Sequence, residues 1–386
     1  MGTYIERKIT AAVMEAAKVY PVITVTGPRQ SGKTTLVKHL FTDLPYYSLE
    51  NIDVRRLAES DPMGFLHQSR QGMILDEVQH CPALLSYIQG LTDENPDLRY
   101  VLSGSSNFTM MRAVTQSLAG RTAVFELLPL TLGEVAEASD GLSLDELLFR
   151  GLYPAAWSRA INPAVMYRNY VKTYLERDVR DLLAVKNLSA FQKFVRLCAV
   201  RIGSLFNASE LAGELGVSVN TVKSWLSVLE ASYIVVLLQP FYENTRKRLT
   251  KSPKLYFVDT GLACSLLDIE TVRGLQRDKM RGHIFENFIV MEAIKWRYNA
   301  GKGNNLCFYR DSNGNEVDLI MRSEGLLSLV EIKSSETYHP EFEKGIKCFC
   351  SDFSDRVLES AVVYAGELEN TSRNIRLYNY RTFCRL

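Results

Sequence analysis

VITVTGPRQSGKTTL, Val22 to Leu36, is the stretch from which the rest of the chain is read. Val22 to Val25 is a short apolar run, GPRQSGKT follows, and a helical pattern begins after it. Strand, glycine-rich loop and helix in that order match the phosphate-binding loop, with Gly27, Gly32, Lys33 and Thr34 at its fixed spacing. The glycines permit the tight turn that aims successive N–H groups at an anion. The helix starting near Lys33 adds the positive end of its dipole. The expected cradle is Gly27, Pro28, Arg29, Gln30, Ser31, Gly32, Lys33, Thr34 and Thr35. Within it Lys33 reaches the outer phosphates of a nucleotide and Thr34 offers a hydroxyl to Mg2+.

A second piece of the same site is expected downstream. Gly72 to Glu77, GMILDE, is an apolar strand ending in two carboxylates. Asp76 is placed to hold Mg2+ through water and Thr34, and Glu77 to polarise an attacking water. A further strand, Leu98 to Leu102, runs into SGSSN. Parallel sheets present ligand groups at the carboxyl ends of their strands, so Ser103, Ser105 and Asn107 are candidates to touch phosphate or water. A plain Ser/Gly turn is the alternative there. Arg121 precedes a fifth strand, Ala123 to Leu127. Two roles are open to it: an arginine finger, in cis or across a subunit boundary, and a structural pair with a carboxylate.

Bulk properties narrow the setting. The chain has 386 residues, which suggests two or three domains. It is 46% hydrophobic and 23% charged, the balance of a soluble globular protein. A net charge of +1 gives no global attraction to nucleic acid or membrane, so any basic surface is local. Seven cysteines without a CxxC pair argue against a disulfide framework and a zinc site. The charged start, Glu6-Arg7-Lys8, is unlike a signal peptide, and the longest uncharged apolar run is Tyr233 to Tyr242. A bilayer span needs about 20 residues. A cytoplasmic protein is expected.

The chain resembles the prokaryotic AAA-type ATPases whose C-terminal half is a domain of unknown function with a restriction-endonuclease-like fold. The matching residues are GPRQSGKTTL, MILDEVQ, VLSGSSN, LAGR followed by ELLPLTLGEV, and GLYP at Gly151. KLYFVDTGL from Lys254, GHIFEN from Gly282, EVDLIM from Glu316 and VEIKSS from Val330 continue it. Where such proteins often carry an aspartate, this chain reads SLEN, with Glu50 as the substitute. The resemblance implies ATP and Mg2+ as cofactors. A small-molecule kinase is the rival P-loop reading, but no acceptor base or Arg-rich lid is found. The adjacent Asp76-Glu77 suits water. No GTP-specific Asn/Thr-Lys-x-Asp motif is present, so ATP is the expected nucleotide.

The middle of the chain reads as helices. Asn162 to Val200 carries Tyr167, Tyr170 and Tyr174 on an apolar stripe, a core face with mixed charge opposite. Asn207 and Glu210 open one short helix, Gly216 breaks it, and Ser218 caps a second. Two apolar strands then bracket Glu243 to Lys251, which holds Arg246, Lys247, Arg248 and Lys251. That is a winged helix with a basic wing. The wing suits phosphate contact, whereas the second helix, with Lys223 its lone cation, does not suit base readout. Packing or partner binding is the alternative use of the same fold.

The C-terminal part offers a second candidate site. Glu316 to Arg322 and Leu326 to Lys333 read as strands joined at Ser323-Glu324-Gly325. A turn centred between Glu324 and Gly325 sets Asp318 opposite Glu331. Glu331 and Lys333 share a face, and Glu286 approaches from a helix over Gly282 to Tyr298. Asp318, Glu331 and Lys333 are similar to the Asp…(Glu-x-Lys) set of restriction-endonuclease-like nucleases, where carboxylates hold metal and lysine activates water. A structural salt bridge, or a retained fold without catalysis, remains open.

The expected fold is α/β: a P-loop parallel sheet over 1–150, a helical and winged-helix part over 151–265, and a mixed α/β endonuclease-like domain over 266–386. The expected function is Mg2+-dependent ATP hydrolysis coupled to nucleic-acid or partner binding. The alternative is a nucleotide-sensing regulator that binds DNA or protein and has a silent C-terminal domain. DNA, through the wing, and a protein are the partners allowed; an oligomer is allowed and a membrane is not.

Overall fold

In the computed structural model, residues 4–105, 114, 116–159, 161–175, 188–242, 252–372 and 374–385 are described. The first sheet is wholly parallel. Its strands are β1 (Val22–Thr26), β2 (Tyr46–Ser48), β3 (Gly72–Asp76), β4 (Arg99–Gly104) and β5 (Thr122–Glu126), in the order β2-β3-β4-β1-β5. Both faces are covered, which is why these strands read as continuous apolar runs. Ile23, Val25, Ile74, Val101 and Phe125 meet the helices Thr10–Ala17 and Lys33–Leu40. Val22, Met73, Leu75, Tyr100 and Leu102 meet the helix Leu84–Glu94.

Register places the site. Thr26 pairs with Gly104 and Glu126, and Asp76 pairs with Ser103, so the loops after β1, β3 and β4 leave one edge together. Ahead of the helix Thr10–Ala17, Arg7 is drawn inward: its guanidinium donates to the carbonyls of Ser31 at 2.8 Å and Leu128 at 2.7 Å.

In the middle region Gly216 takes a left-handed φ of 65° between the helices Ala208–Leu215 and Val219–Ala231, the turn a residue with Cβ resists. Ser218 caps the second helix by accepting from Thr221 N at 3.1 Å. An antiparallel pair follows, β6 (Val235–Pro240) with β7 (Lys254–Phe257). The basic residues Arg246, Lys247, Arg248 and Lys251 lie outside the described residues, as do Asn107 and residues 176–187 of the expected long helix.

A seven-stranded mixed sheet closes the chain. Its further strands are β8 (Cys307–Arg310), β9 (Glu316–Ser323), β10 (Leu326–Lys333), β11 (Val357–Tyr364) and β12 (Ile375–Asn379), in the order β12-β11-β10-β9-β8-β6-β7. The boundary expected at 265/266 is therefore bridged, because β6 and β7 complete the C-terminal sheet. Glu324 and Gly325, with φ of 51° and 86°, make the two-residue hairpin turn. Ser323 pairs with Leu326 and Leu319 with Val330, the register expected from sequence. The long helix Arg281–Asn299 packs Ile284, Phe285, Phe288 and Ile289 into the main core. Among the described residues no helix is long and apolar enough to cross a membrane.

Candidate functional site

The loop after β1 has the geometry of an anion cradle. Gly27 and Gly32 have φ of 144° and 98°. A Cβ on Gly27 would lie 2.2 Å from the Leu127 carbonyl oxygen, so only glycine fits there. Lys33 donates to the carbonyls of Gly27 at 3.0 Å and Pro28 at 2.8 Å, which folds its ammonium over the loop. Ser31 is fully buried and its Oγ has no hydrogen-bond partner. A buried hydroxyl left unsatisfied inside a loop of this shape is a group awaiting a ligand oxygen. Together with the lysine, it fits a nucleotide phosphate. Thr34 is half-buried beside Lys33, and Thr35 faces solvent.

Asp76 ends β3 at the centre of three hydroxyl donors. Thr34 Oγ1 donates to Oδ2 at 2.8 Å, Tyr46 OH to Oδ2 at 2.8 Å, and Ser103 Oγ to Oδ1 at 2.5 Å. Burial, then the bond to Asp76 and its charge, push the Tyr46 hydroxyl well above its ordinary pKa, so it stays a donor. Thr34 and Asp76, in contact on neighbouring elements, suit an octahedral Mg2+ that takes few protein ligands. Glu77 follows at a left-handed φ of 54°. Such a backbone costs a non-glycine residue on the order of 1–3 kcal/mol and gathers at functional sites. Its Oε2 accepts from Ser105 N at 3.2 Å and Ser105 Oγ at 3.1 Å, and Gln79 also donates to it. Ser105 thus holds the carboxylate.

The C-terminal cluster assembles as the hairpin register requires, with one addition. Lys333 pairs with Glu331 at 2.5 Å and lies 3.7 Å from Asp318. Asp318 also accepts from the Ile332 amide at 2.9 Å. Glu286 arrives from the long helix and accepts from Tyr256 OH at 2.6 Å. Lys254, from β7, enters among them: its ammonium is 2.9 Å from Glu286 and 3.7 Å from Asp318, and it also pairs with Glu316. Burial opposes charge on Lys254, but Tyr256, Glu286, Asp318 and Glu316 raise its pKa well above the usual lysine value. Burial, and then Asp318, push Glu331 up to about 8 against the pull of Lys333.

The four residues expected to form a metal site, Glu286, Asp318, Glu331 and Lys333, are brought together by the fold. Two ammonium groups, Lys254 and Lys333, stand among their carboxylates. Among the described residues no group of three or more His, Cys, Asp or Glu side chains is arranged to hold a metal ion.

Comparison with known proteins places the chain. Three family models divide it: an AAA domain over residues 19–136, and domains of unknown function over 141–273 (DUF8612) and 281–383 (DUF4143). Uncharacterized proteins of Mycobacterium tuberculosis and Mycobacterium bovis are each 31% identical over 370 residues, across 94% of this chain and 81% of theirs. The chain belongs to this family of P-loop AAA-type ATPases. An uncharacterized protein of Methanocaldococcus jannaschii is a more distant relative of the ATPase, 22% identical over 370 residues, with 87% of this chain and 79% of that protein covered. The Walker-type ATPase of Pyrococcus abyssi is a structural neighbour with 15% identity and a TM-score of 0.44, over 68% of this chain and 96% of that one.

Within one chain of this ATPase, Arg121 does not reach the nucleotide loop. Its carbonyl accepts from Val22 N, at the amino end of β1, four strand residues or about 13 Å from Thr26. Its guanidinium is closed on Asp93, with Nε to Oδ1 at 2.5 Å and a second bond at 2.8 Å. Of the two roles open to it, the pair with a carboxylate is the one seen within the chain. Four residues of the ATPase were missed from sequence: Arg7, Tyr46, Tyr233 and Lys254. Lys254 alone left a signal, a single charge opening an apolar strand.

Proposed function

We propose that this cytoplasmic ATPase hydrolyses ATP by attack of water. Thr34 and Asp76 hold Mg2+, which supplies neutralisation of phosphate charge. The backbone of Gly27 to Thr34, with Arg29, Gln30, Ser31 and Thr35 around it, binds and orients the phosphates. Lys33 leaves its two loop carbonyls for phosphate oxygen. Glu77, steadied by Ser105, orients the water and takes its proton. The observation carrying this reading is that Asp76 touches Thr34 at 2.8 Å while Glu77, the next residue, is separately held by Ser105. Phosphate release by wild type, Lys33→Ala and Glu77→Gln tests it. Both variants should lose turnover by at least ~100-fold, and an active Glu77→Gln protein overturns the assignment of water to Glu77.

We infer further that turnover responds to a macromolecule bound through the helix-turn-helix, as a winged helix with Arg246, Lys247, Arg248 and Lys251 on DNA phosphates. The support is the position of Tyr233, which follows the second helix and reaches the strand carrying the nucleotide loop. Turnover raised by DNA, with a binding slope against salt that falls when the four cations become Ser, is the expected result. Turnover indifferent to DNA favours a protein partner. Lys254, the additional cation in the C-terminal cluster, favours the regulator reading over the nuclease reading: binding without cutting.

A further inference from the structure

The C-terminal cluster carries one more cation than the chemistry of its Asp and Glu-x-Lys residues calls for. Glu286, Glu316, Asp318 and Glu331 supply four carboxylates. Lys333 answers Glu331 and Asp318 on one side, and Lys254 answers Glu286, Glu316 and Asp318 on the other. A divalent ion serving Glu286 and Asp318 would need oxygens at about 2.0–2.6 Å. The Lys254 ammonium already stands between those two carboxylates, 2.9 Å from one and 3.7 Å from the other.

Lys254 has nowhere else to put its charge. Its side chain is 2% exposed. Its backbone is pinned on both sides, by pairing with Leu238 in β6 and by a bridge to Leu205. Its neighbours along β7 are Leu255, Tyr256 and Phe257, all buried, and its ammonium lies 5.5 Å from the Phe308 ring centre. Swinging away would carry an unpaired charge into apolar core.

We propose that Lys254 is the resident cation of this site, a tethered ammonium in the place a divalent metal would take, so that the wild-type domain is closed to metal and acts as a metal-independent scaffold. The inference rests on the regulator reading for this domain, but its test does not involve nucleotide turnover. Replacing the lysine by a neutral residue leaves four carboxylates with Lys333 on one side and Arg310, 3.5 Å from Glu316, at the edge to offset them. Carboxylates held that close recruit a hard divalent cation.

The experiment is a Mn2+ titration of nucleotide-free, full-length protein, with free Mn2+ followed by electron paramagnetic resonance. Wild type should take up no Mn2+ at submillimolar concentration. Lys254→Ala should take up one equivalent, and Lys254→Ala with Asp318→Asn should lose it again. Lys254→Met, which keeps the packing of the stem, covers the case in which the alanine variant misfolds, with near-ultraviolet circular dichroism as the check. Uptake by wild type that Asp318→Asn abolishes overturns the proposal. So does a folded Lys254→Met protein that gains no binding. If both variants unfold, the wild-type result alone decides between the two outcomes. DNA-stimulated turnover reads the regulator function separately, so the two can fail independently.

Discussion

The hydroxyl of Tyr233 lies 2.8 Å from Thr26 Oγ1, one residue before the phosphate loop, and 3.1 Å from Glu126 on the neighbouring strand. Tyr233 sits at the turn after the second helix of the helix-turn-helix, with a left-handed φ of 55°. A buried aromatic in that conformation is retained against a cost of on the order of 1–3 kcal/mol. Tyr233→Phe should cost about 1–3 kcal/mol, because Glu126 and Thr26 lose a buried partner. It should also weaken any response of ATP turnover to a ligand of the helix-turn-helix. Urea unfolding and stimulated turnover measure the two effects. Unchanged stimulation would show that this contact is packing alone.

Lys33→Ala and Glu77→Gln should separate binding from chemistry. Lys33 meets phosphate in the ground state, whereas Glu77 acts on water in the transition state. Calorimetry should show nucleotide affinity nearly abolished in the first variant and retained in the second. Equal loss in both would contradict the division of roles.

Tyr46→Phe tests how Asp76 is positioned. The variant keeps the ring over Lys38, 3.5 Å from ring centre to ammonium, and deletes only the hydroxyl on Oδ2. With one of its three donors gone, Asp76 should present Mg2+ less well. The Mg2+ concentration for half-maximal turnover should rise severalfold, while turnover at saturating Mg2+ should change little. A fall at saturating Mg2+ with an unchanged requirement would place the tyrosine in the chemistry instead.

Glu331 should make stability depend on pH. It faces Asp318 and Lys333, with Glu316, Glu286 and Lys254 beyond them, and its folded pKa stands at about 8 against a usual value of 4.5. A raised carboxyl favours the folded state fully below the unfolded pKa, and that contribution is lost as pH rises through the folded one. Between pH 5 and 8 the loss can approach ~1.4 kcal/mol per pH unit. Urea midpoints of wild type should therefore fall across this window relative to Glu331→Gln. Parallel curves would mean that Lys333 keeps the carboxylate ionised throughout.

The nucleotide site was legible because its signal is local. Gly27 to Thr34 and Asp76-Glu77 are contiguous motifs whose strand context is apolar and short. The hairpin was legible for the same reason, since Glu324-Gly325 sets the pairing of its own flanks. What escaped was side-chain reach across the fold. Arg7 bonds Leu128, Tyr46 bonds Asp76, and Lys254 bonds Glu286, all between elements whose approach depends on tertiary packing. The two roles open to Arg121 could not be separated from sequence, because its pairing with Asp93 joins residues 28 positions apart. The extent of the C-terminal sheet escaped too, because β6 and β8 are joined by pairing at only two positions.

The long helix Arg281–Asn299 carries a buried ion pair, Lys295 with Glu292 at 3.1 Å, whose remaining bonds go to the backbone after β5. Lys295 donates to the Leu130 carbonyl at 2.8 Å, and Glu292 accepts from the Leu132 amide at 2.9 Å. A fragment ending at residue 136 would leave both backbone groups unanswered, and one beginning at residue 281 would turn a sealed charge pair toward water. The three segments are thus poor candidates for shuffling. In a genome they should be gained, lost and exchanged as one indivisible cassette, and hybrids spliced near residue 136 or 281 should come out insoluble.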